Sequence, residues 1–244
     1  MEQQRLPSLD DPPVMFAHRG ARAHAPENTM EAFELALRLG ATGLESDVWV
    51  TADGVAVLDH DGVVKVSRVR SRRITELNHA DLPEHIPTLE ELLRSCIEPR
   101  DVALSLDVKC DEAWGPTITA IRAVNPDLGR RVWLCHHDVM VIEAMRDSAA
   151  GIRLVDSTRL ERIPEGPERR AARLAAAGVD AINMRRDDWT GGLVTMFHRF
   201  GLRAFSWDLQ HDHQLRPAFR MGIDGVYSDH VDRMIDAARS EAIV

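Results

Sequence analysis

The chain has no apolar stretch of the length that crosses a bilayer, no basic start followed by a hydrophobic run, and few cysteines. A transmembrane helix needs about 20 consecutive apolar residues, so integral membrane association is not expected. Cys96, Cys110 and Cys135 are odd in number and show no Cys-x-x-Cys spacing. That pattern fits reduced thiols packed as small hydrophobes in a cytosolic protein, not a disulfide framework. The opening MEQQRLPSLDDPPVMF carries no signal-peptide pattern, which makes the cytoplasm the expected location. Basic charge is also scarce, with 30 Lys and Arg against 39 Asp and Glu and a formal charge of −9. A nucleic-acid surface needs clustered cations to displace counterions, whereas the pairs Arg72-Arg73, Arg169-Arg170 and Arg185-Arg186 lie scattered among acids. No nucleic-acid partner is expected, and any phosphate must be gripped locally. The composition carries no signal for an oligomeric state.

What is present is an ordinary globular composition over 244 residues, 44% hydrophobic and 28% charged. Short β-rich runs alternate with helical patterns along the whole chain, the signature of a parallel sheet with helical crossovers. Strands are predicted at Val14–Ala17, Gly43–Val48, Val102–Asp107, Arg131–Cys135, Ile152–Asp156, Ala181–Met184, Arg203–Trp207 and Gly225–Ser228. Helices are predicted near Thr29–Leu39, Thr88–Ile97, Ala113–Ala123, Val139–Ala149, Glu168–Ala177, Leu193–Phe200, Asp212–Met221 and from Val231. Asn28 or Thr29 caps the first helix, and Thr88-Leu89-Glu90-Glu91 reads as a capping box. Gly40, Gly178, Gly201 and Gly222 stand where helices stop. The expected fold is an α/β (β/α)8 TIM barrel, one domain over residues 1–244, with an excursion after the second strand at about 49–87 that includes a short strand Val55–Leu58. An open doubly wound sheet gives a similar alternation, but no Gly-x-Gly-x-x-Gly follows the first strand.

In such a barrel the reacting groups gather where strands end. His18-Arg19-Gly20 follows the first strand. On the second, Glu45 and Asp47 are two residues apart and so share one face. Two inward carboxylates need a compensating cation. A divalent ion such as Mg²⁺ or Ca²⁺ suits hard oxygen donors, and a buried ion-pair network with Lys109 is the alternative. Asp107 and Lys109 repeat the spacing on the third strand. His60 follows the short strand of the excursion, where it can lean over the same mouth. Two imidazoles across a metal-held phosphate suit acid–base hydrolysis of a diester, with Arg19 and Lys109 on its non-bridging oxygens.

The run HRGARAHAPENTMEAFELALRLGATGLESDVWVTADGVAVLDHD, followed by LSLDVK, Ile86-Pro87-Thr88-Leu89-Glu90-Glu91, Trp207 and Gly222-Ile223-Asp224-Gly225, resembles the glycerophosphodiester phosphodiesterase family. The resemblance implies His18 and His60 as the acid–base pair, Glu45, Asp47 and Asp107 as ligands of one divalent metal, and Arg19 and Lys109 as phosphate contacts. It implies Trp207 as the wall of the glycerol-side pocket and Glu27 as a supporting group, with Asn28 assigned to the helix cap. The expected reaction is hydrolysis of a small-molecule glycerophosphodiester to glycerol 3-phosphate and an alcohol. The chain departs from the family in several places: Asp107 stands where glutamate is usual, and Val63–Arg68 replaces an Arg-Thr-Thr stretch. Further on, Asp208-Leu209-Gln210 follows Trp207, and His136-His137 occupies a rim position able to specify a different head group. Two other readings compete: a lysophospholipase D-type diesterase, whose mark would be hydrophobic residues such as Val63, Val64 and Val66 in the excursion, and a non-catalytic barrel binding phosphorylated ligands. The His-x-His pair of His211 and His213 is read as an exposed helix start, because in metal-dependent amidohydrolase-like barrels that pair belongs on the first strand.

Overall fold

A computed structural model describes residues 5–65, 70–97 and 102–244. In chain order the elements are β1 (Val14–Ala17), α1 (Met30–Arg38), β2 (Gly43–Val50), β3 (Ala56–Leu58), β4 (Val63–Lys65), β5 (Ser71–Arg73), α2 (Leu89–Ser95), β6 (Ala103–Val108), α3 (Trp114–Val124), β7 (Val132–His136) and α4 (Val139–Met145). They continue with β8 (Arg153–Ser157), α5 (Pro167–Ala176), β9 (Ala181–Arg185), α6 (Gly191–Arg199), β10 (Arg203–Trp207), α7 (Asp212–Arg220), β11 (Gly225–Ser228) and α8 (Val231–Ser240). Eight strands run parallel in the ring β1-β11-β10-β9-β8-β7-β6-β2, which the β1–β2 pairing closes. Helices separate them, so the expected (β/α)8 barrel is the architecture observed. No helix among the described residues is long and apolar enough to cross a membrane.

Alternation along the strands divides the barrel into two cores. Outward residues pack under the helices in one large cluster. Inward residues form a small aromatic-rich plug of Phe16, Trp133, Cys135, Val155, Ala181, Phe205 and Tyr227. Phe16 stacks on Tyr227 at 4.7 Å, and Trp133 meets Phe205 edge-on at 4.8 Å. Two glycines make this plug possible: a Cβ on Gly43 would stand 2.5 Å from the Phe16 ring, and one on Gly225 2.6 Å from that of Phe205.

Helix ends follow the local chemistry. Thr29 caps α1 by accepting from the Ala32 amide, and the Thr88–Glu91 capping box is formed. α4 stops at Met145, short of the expected Ala149, because the Arg146 guanidinium takes the carbonyls of Ala149 and Ile152 at 2.6 and 2.7 Å and turns the chain. The excursion is richer than one short strand. β3 pairs antiparallel on β2, and a β4–β5 hairpin follows with one-turn helices at Ile74–Glu76 and His79–Asp81. Val66, Ser67 and Arg68 lie outside the described residues, so the Val63–Arg68 departure is visible only in its first half.

Below the barrel, Asp224 is fully buried and receives the amides of Leu9, Asp10 and Ala204 and the His198 ring. It ties the N-terminal segment, α6 and β10 to the start of β11. Removing an acceptor of this kind strands several buried donors, so Asp224→Ala is expected to lower stability by about 3 kcal/mol, measured by urea unfolding. An unchanged midpoint would show that the segment anchors elsewhere.

Candidate active site

The first strand hands the chain to a tight turn. Gly20 takes φ +76° with its α-carbon against the α1 backbone, where a Cβ would stand 2.7 Å from Ala32. Arg19 takes φ +54°, an uncommon conformation for a residue with a side chain. What holds it there is polar. Its amide donates to Glu45 Oε2 at 2.9 Å, Nη1 reaches Glu27 at 3.1 Å, and Nε faces Asp47 Oδ2 at 3.3 Å. Glu27 also pairs with Arg22 at 3.1 Å, so it stands behind Arg19 as a brace.

Glu45 and Asp47 are both buried, and the β2–β6 register sets Asp47 beside Asp107. The Lys109 ammonium sits between those two aspartates, 2.8 Å from Asp47 and 2.5 Å from Asp107. Burial works against its charge, but Asp107 and Asp47 outweigh this and hold its pKa above the ordinary lysine value. Glu45 has no such partner. Burial, with added repulsion from Asp47 and Asp107, raises its pKa to about 7 even though His18 and the Arg19 amide pull the other way.

His18 places Nδ1 2.6 Å from Asp229 Oδ1 and Nε2 3.8 Å from Glu45. Burial alone would lower its pKa; the Glu45 charge and the Asp229 hydrogen bond raise it overall. An acceptor on Nδ1 assigns the Nδ1 proton and leaves Nε2 toward the cavity. His60 comes from the excursion, with Nδ1 2.8 Å from Asp61. His18, Arg19, Glu45, Asp47, His60, Asp107, Lys109 and Trp207 all line one cavity of about 480 Å³ at the carboxyl ends of the strands.

Whether a divalent cation suits this mouth is a question of charge and donor type. Glu45, Asp47 and Asp107 offer oxygen donors, and the buried, repelled Glu45 carboxyl is the group an added cation would stabilise. The residues fit a hard cation. Their oxygens are not as closely gathered as in the one compact trio among the described residues, His24, His230 and Asp232, whose donor atoms lie within 4.8 Å of one another at the surface. The ammonium of Lys109 occupies the gap between Asp47 and Asp107.

Several expectations are corrected. Asn28 is not the helix cap, which Thr29 supplies. It is buried at φ +55°, donates to Asp47 at 3.3 Å and accepts from Ser46 at 2.7 Å, so it positions a site carboxylate. Neither His136 nor His137 lines the cavity. His136 is buried and accepts from the Asp138 amide at 3.1 Å, while His137 is exposed beside it. Asp208 and Gln210 do line the cavity, whereas Leu209 is core. His211 and His213 are an exposed stacked pair at 5.5 Å on and after the N-cap of α7. Sequence reasoning missed Asp229, although a polar residue directly after the last strand is the signal that singled out His18.

Residues 18–233 match the Glycerophosphoryl diester phosphodiesterase family. A glycerophosphodiester phosphodiesterase of Caldanaerobacter subterraneus is 24% identical, covering 93% of this chain and 98% of its own. Among solved structures, a Thermotoga maritima glycerophosphodiester phosphodiesterase superposes with a TM-score of 0.77 at 22% identity over 91% of this chain and 97% of its own. An Oleispira antarctica phosphodiesterase in complex with the product sn-glycerol-3-phosphate superposes at 0.76 with 21% identity, over 93% and 97%. With the family pattern running from His18 to the start of the last helix, the chain belongs to the glycerophosphoryl diester phosphodiesterase family.

Proposed function

We propose that the protein hydrolyses glycerophosphodiesters to glycerol 3-phosphate and an alcohol, with His18 and His60 moving the protons and Glu45, Asp47 and Asp107 holding one Mg²⁺ or Ca²⁺. The observation that carries this reading is the His18 ring, fixed by Asp229 on one nitrogen and turned with the other to a cavity whose walls carry carboxylates and, among several cations, Arg19 and Lys109. When bound, the divalent ion supplies positive charge against the phosphate oxygens.

The chain's own residues do the rest. Arg19 spends Nε and Nη1 on Asp47 and Glu27, which leaves Nη2 for a non-bridging phosphate oxygen. Lys109 offers a second cation beside the same carboxylates. An attacking hydroxyl, from water or from the substrate itself, gives its proton to one imidazole as its oxygen bonds to phosphorus. The other imidazole protonates the departing alkoxide as the P–O bond breaks. Trp207 gives an apolar face to the glycerol carbons, and its ring lies 5.9 Å from the Arg159 guanidinium.

His18→Ala is expected to reduce turnover of glycerophosphocholine by about 10³-fold with an unchanged unfolding midpoint; retained turnover would remove His18 from the chemistry. Dialysis against a chelator should abolish activity and added Mg²⁺ or Ca²⁺ restore it, checked by glycerol 3-phosphate release. Full activity in the chelated enzyme would leave the carboxylates without the role given them.

Asp229 acts through His18 and is a positioning residue. Its hydrogen bond raises the His18 pKa, so Asp229→Asn lowers it and shifts the limb of the pH–rate profile governed by His18 toward acid. The expected loss in kcat is about 10²-fold. A loss of rate with that limb unmoved would make the effect merely structural.

A further inference from the structure

Outside the mouth, one group of side chains has the composition of a metal site. His24, His230 and Asp232 bring two imidazoles and a carboxylate together, with one donor atom of each inside a 4.8 Å span. His24 Nε2 lies 3.1 Å from Asp232 Oδ1, a contact between residues 208 apart in the chain, and the two imidazole rings meet edge-on at 6.2 Å. None of the three lines the active-site cavity.

The backbone fixes where these side chains start. His24 donates its amide to the Ala21 carbonyl at 2.8 Å, and the Ala23 amide reaches the Asp229 carbonyl at 3.3 Å, which stitches the turn after β1 to the segment after β11. His230 donates to Ser228 Oγ at 3.1 Å and accepts from the Met234 amide at 3.0 Å, so it and Asp232 are set by the first turn of α8. The arginines nearby in sequence are engaged elsewhere. Arg233 turns to the Gln210 carbonyl and the His211 ring, and Arg22 pairs with Glu27 at 3.1 Å. Among the described residues the only ion-pair partner of Asp232 is therefore His24.

We propose that His24, His230 and Asp232 form a second metal site, for an ion of the Zn²⁺ class, that clips the turn after β1 to the start of α8. Two imidazole nitrogens with one carboxylate oxygen suit Zn²⁺, whereas the all-oxygen set at the mouth suits Mg²⁺ or Ca²⁺. Donor chemistry thus sorts two ions between two sites. Four-coordinate Zn²⁺ holds such donors at about 2.0–2.2 Å and hence about 3.4 Å from one another; side chains at the surface close the remaining gap by small rotations. The ion takes the place of the proton shared by His24 Nε2 and Asp232 Oδ1, and water completes the shell. Because the same two segments deliver His18 and Asp229, an ion bound here holds the closed barrel at its seam. This site stands apart from the diesterase reading.

The test is calorimetric titration of the full chain with Zn²⁺ in millimolar Mg²⁺, which fills the mouth, followed by thermal unfolding. Wild type is expected to bind one Zn²⁺ that His24→Ala and His230→Ala bind at least about 10²-fold more weakly. Asp107→Asn, which alters the mouth, should keep that binding. At a Zn²⁺ concentration about 100 times Kd the wild-type unfolding midpoint should rise by about 5 °C, and the His24→Ala midpoint should rise far less. His24 is exposed, so its variant is expected to match wild type without Zn²⁺ and decides the matter even if His230→Ala folds poorly. Zn²⁺ binding unchanged in His24→Ala, or lost in Asp107→Asn instead, overturns the proposal by returning the ion to the mouth.

Discussion

The constraint on which the site depends is an excess of carboxylate in a partly closed mouth. Glu45 and Asp47 share an inward face of β2 because strand side chains alternate, and the parallel register brings Asp107 alongside. Like charges at this spacing, partly removed from water, cannot all ionise without cations among them. The fold answers with Arg19 on the turn after β1 and Lys109 on the end of β6, and the strained backbone of Arg19 is held by the same carboxylates it serves. Glu45 remains the under-compensated member, lifted to about 7. A site so arranged is poised for added positive charge.

The aromatic plug beneath the mouth makes that electrostatics matter. Phe16, Trp133, Phe205 and Tyr227 fill the barrel and keep water from reaching the carboxylates from below. In a low-dielectric floor each ion pair is stronger than at the surface and each unpaired charge dearer. Polar groups at the boundary are accordingly matched to one another: Ser105 Oγ lies 2.9 Å from Tyr227 OH and 3.3 Å from Cys135 Sγ. Burial keeps that Cys135 thiol protonated, so it belongs to the floor and not to the chemistry.

Much of this was legible in the residues. Strand and helix positions followed from periodicity and caps, and Glu45, Asp47, Asp107 and Lys109 declared themselves by two-residue spacing at strand ends. What stayed hidden depended on contacts between distant segments. Asn28 looked like a cap because Asn and Thr serve equally well there, and only the fold shows Thr29 taking that role while Asn28 turns inward to Asp47. His136-His137 looked like rim residues because they end a strand, but the Asp138 amide draws the His136 ring away from the mouth.

Closure of the ring and assembly of the His18–Asp229 pair are one event. His18 follows the first strand and Asp229 the last, and these strands pair only when the barrel closes, through Val14–Gly225 to Ala17–Ser228. The His18 amide itself donates to the Ser228 carbonyl at 3.0 Å. Until β11 is in place the imidazole has neither its backbone anchor nor its carboxylate, so its tautomer and direction are unset. The N-terminal segment adds to the same seam, with Leu9 and Asp10 bonded to Asp224 just before β11. A side-chain pair built across the seam of a barrel is set only in the closed fold, so the direction of the His18 ring depends on the last strand staying in place.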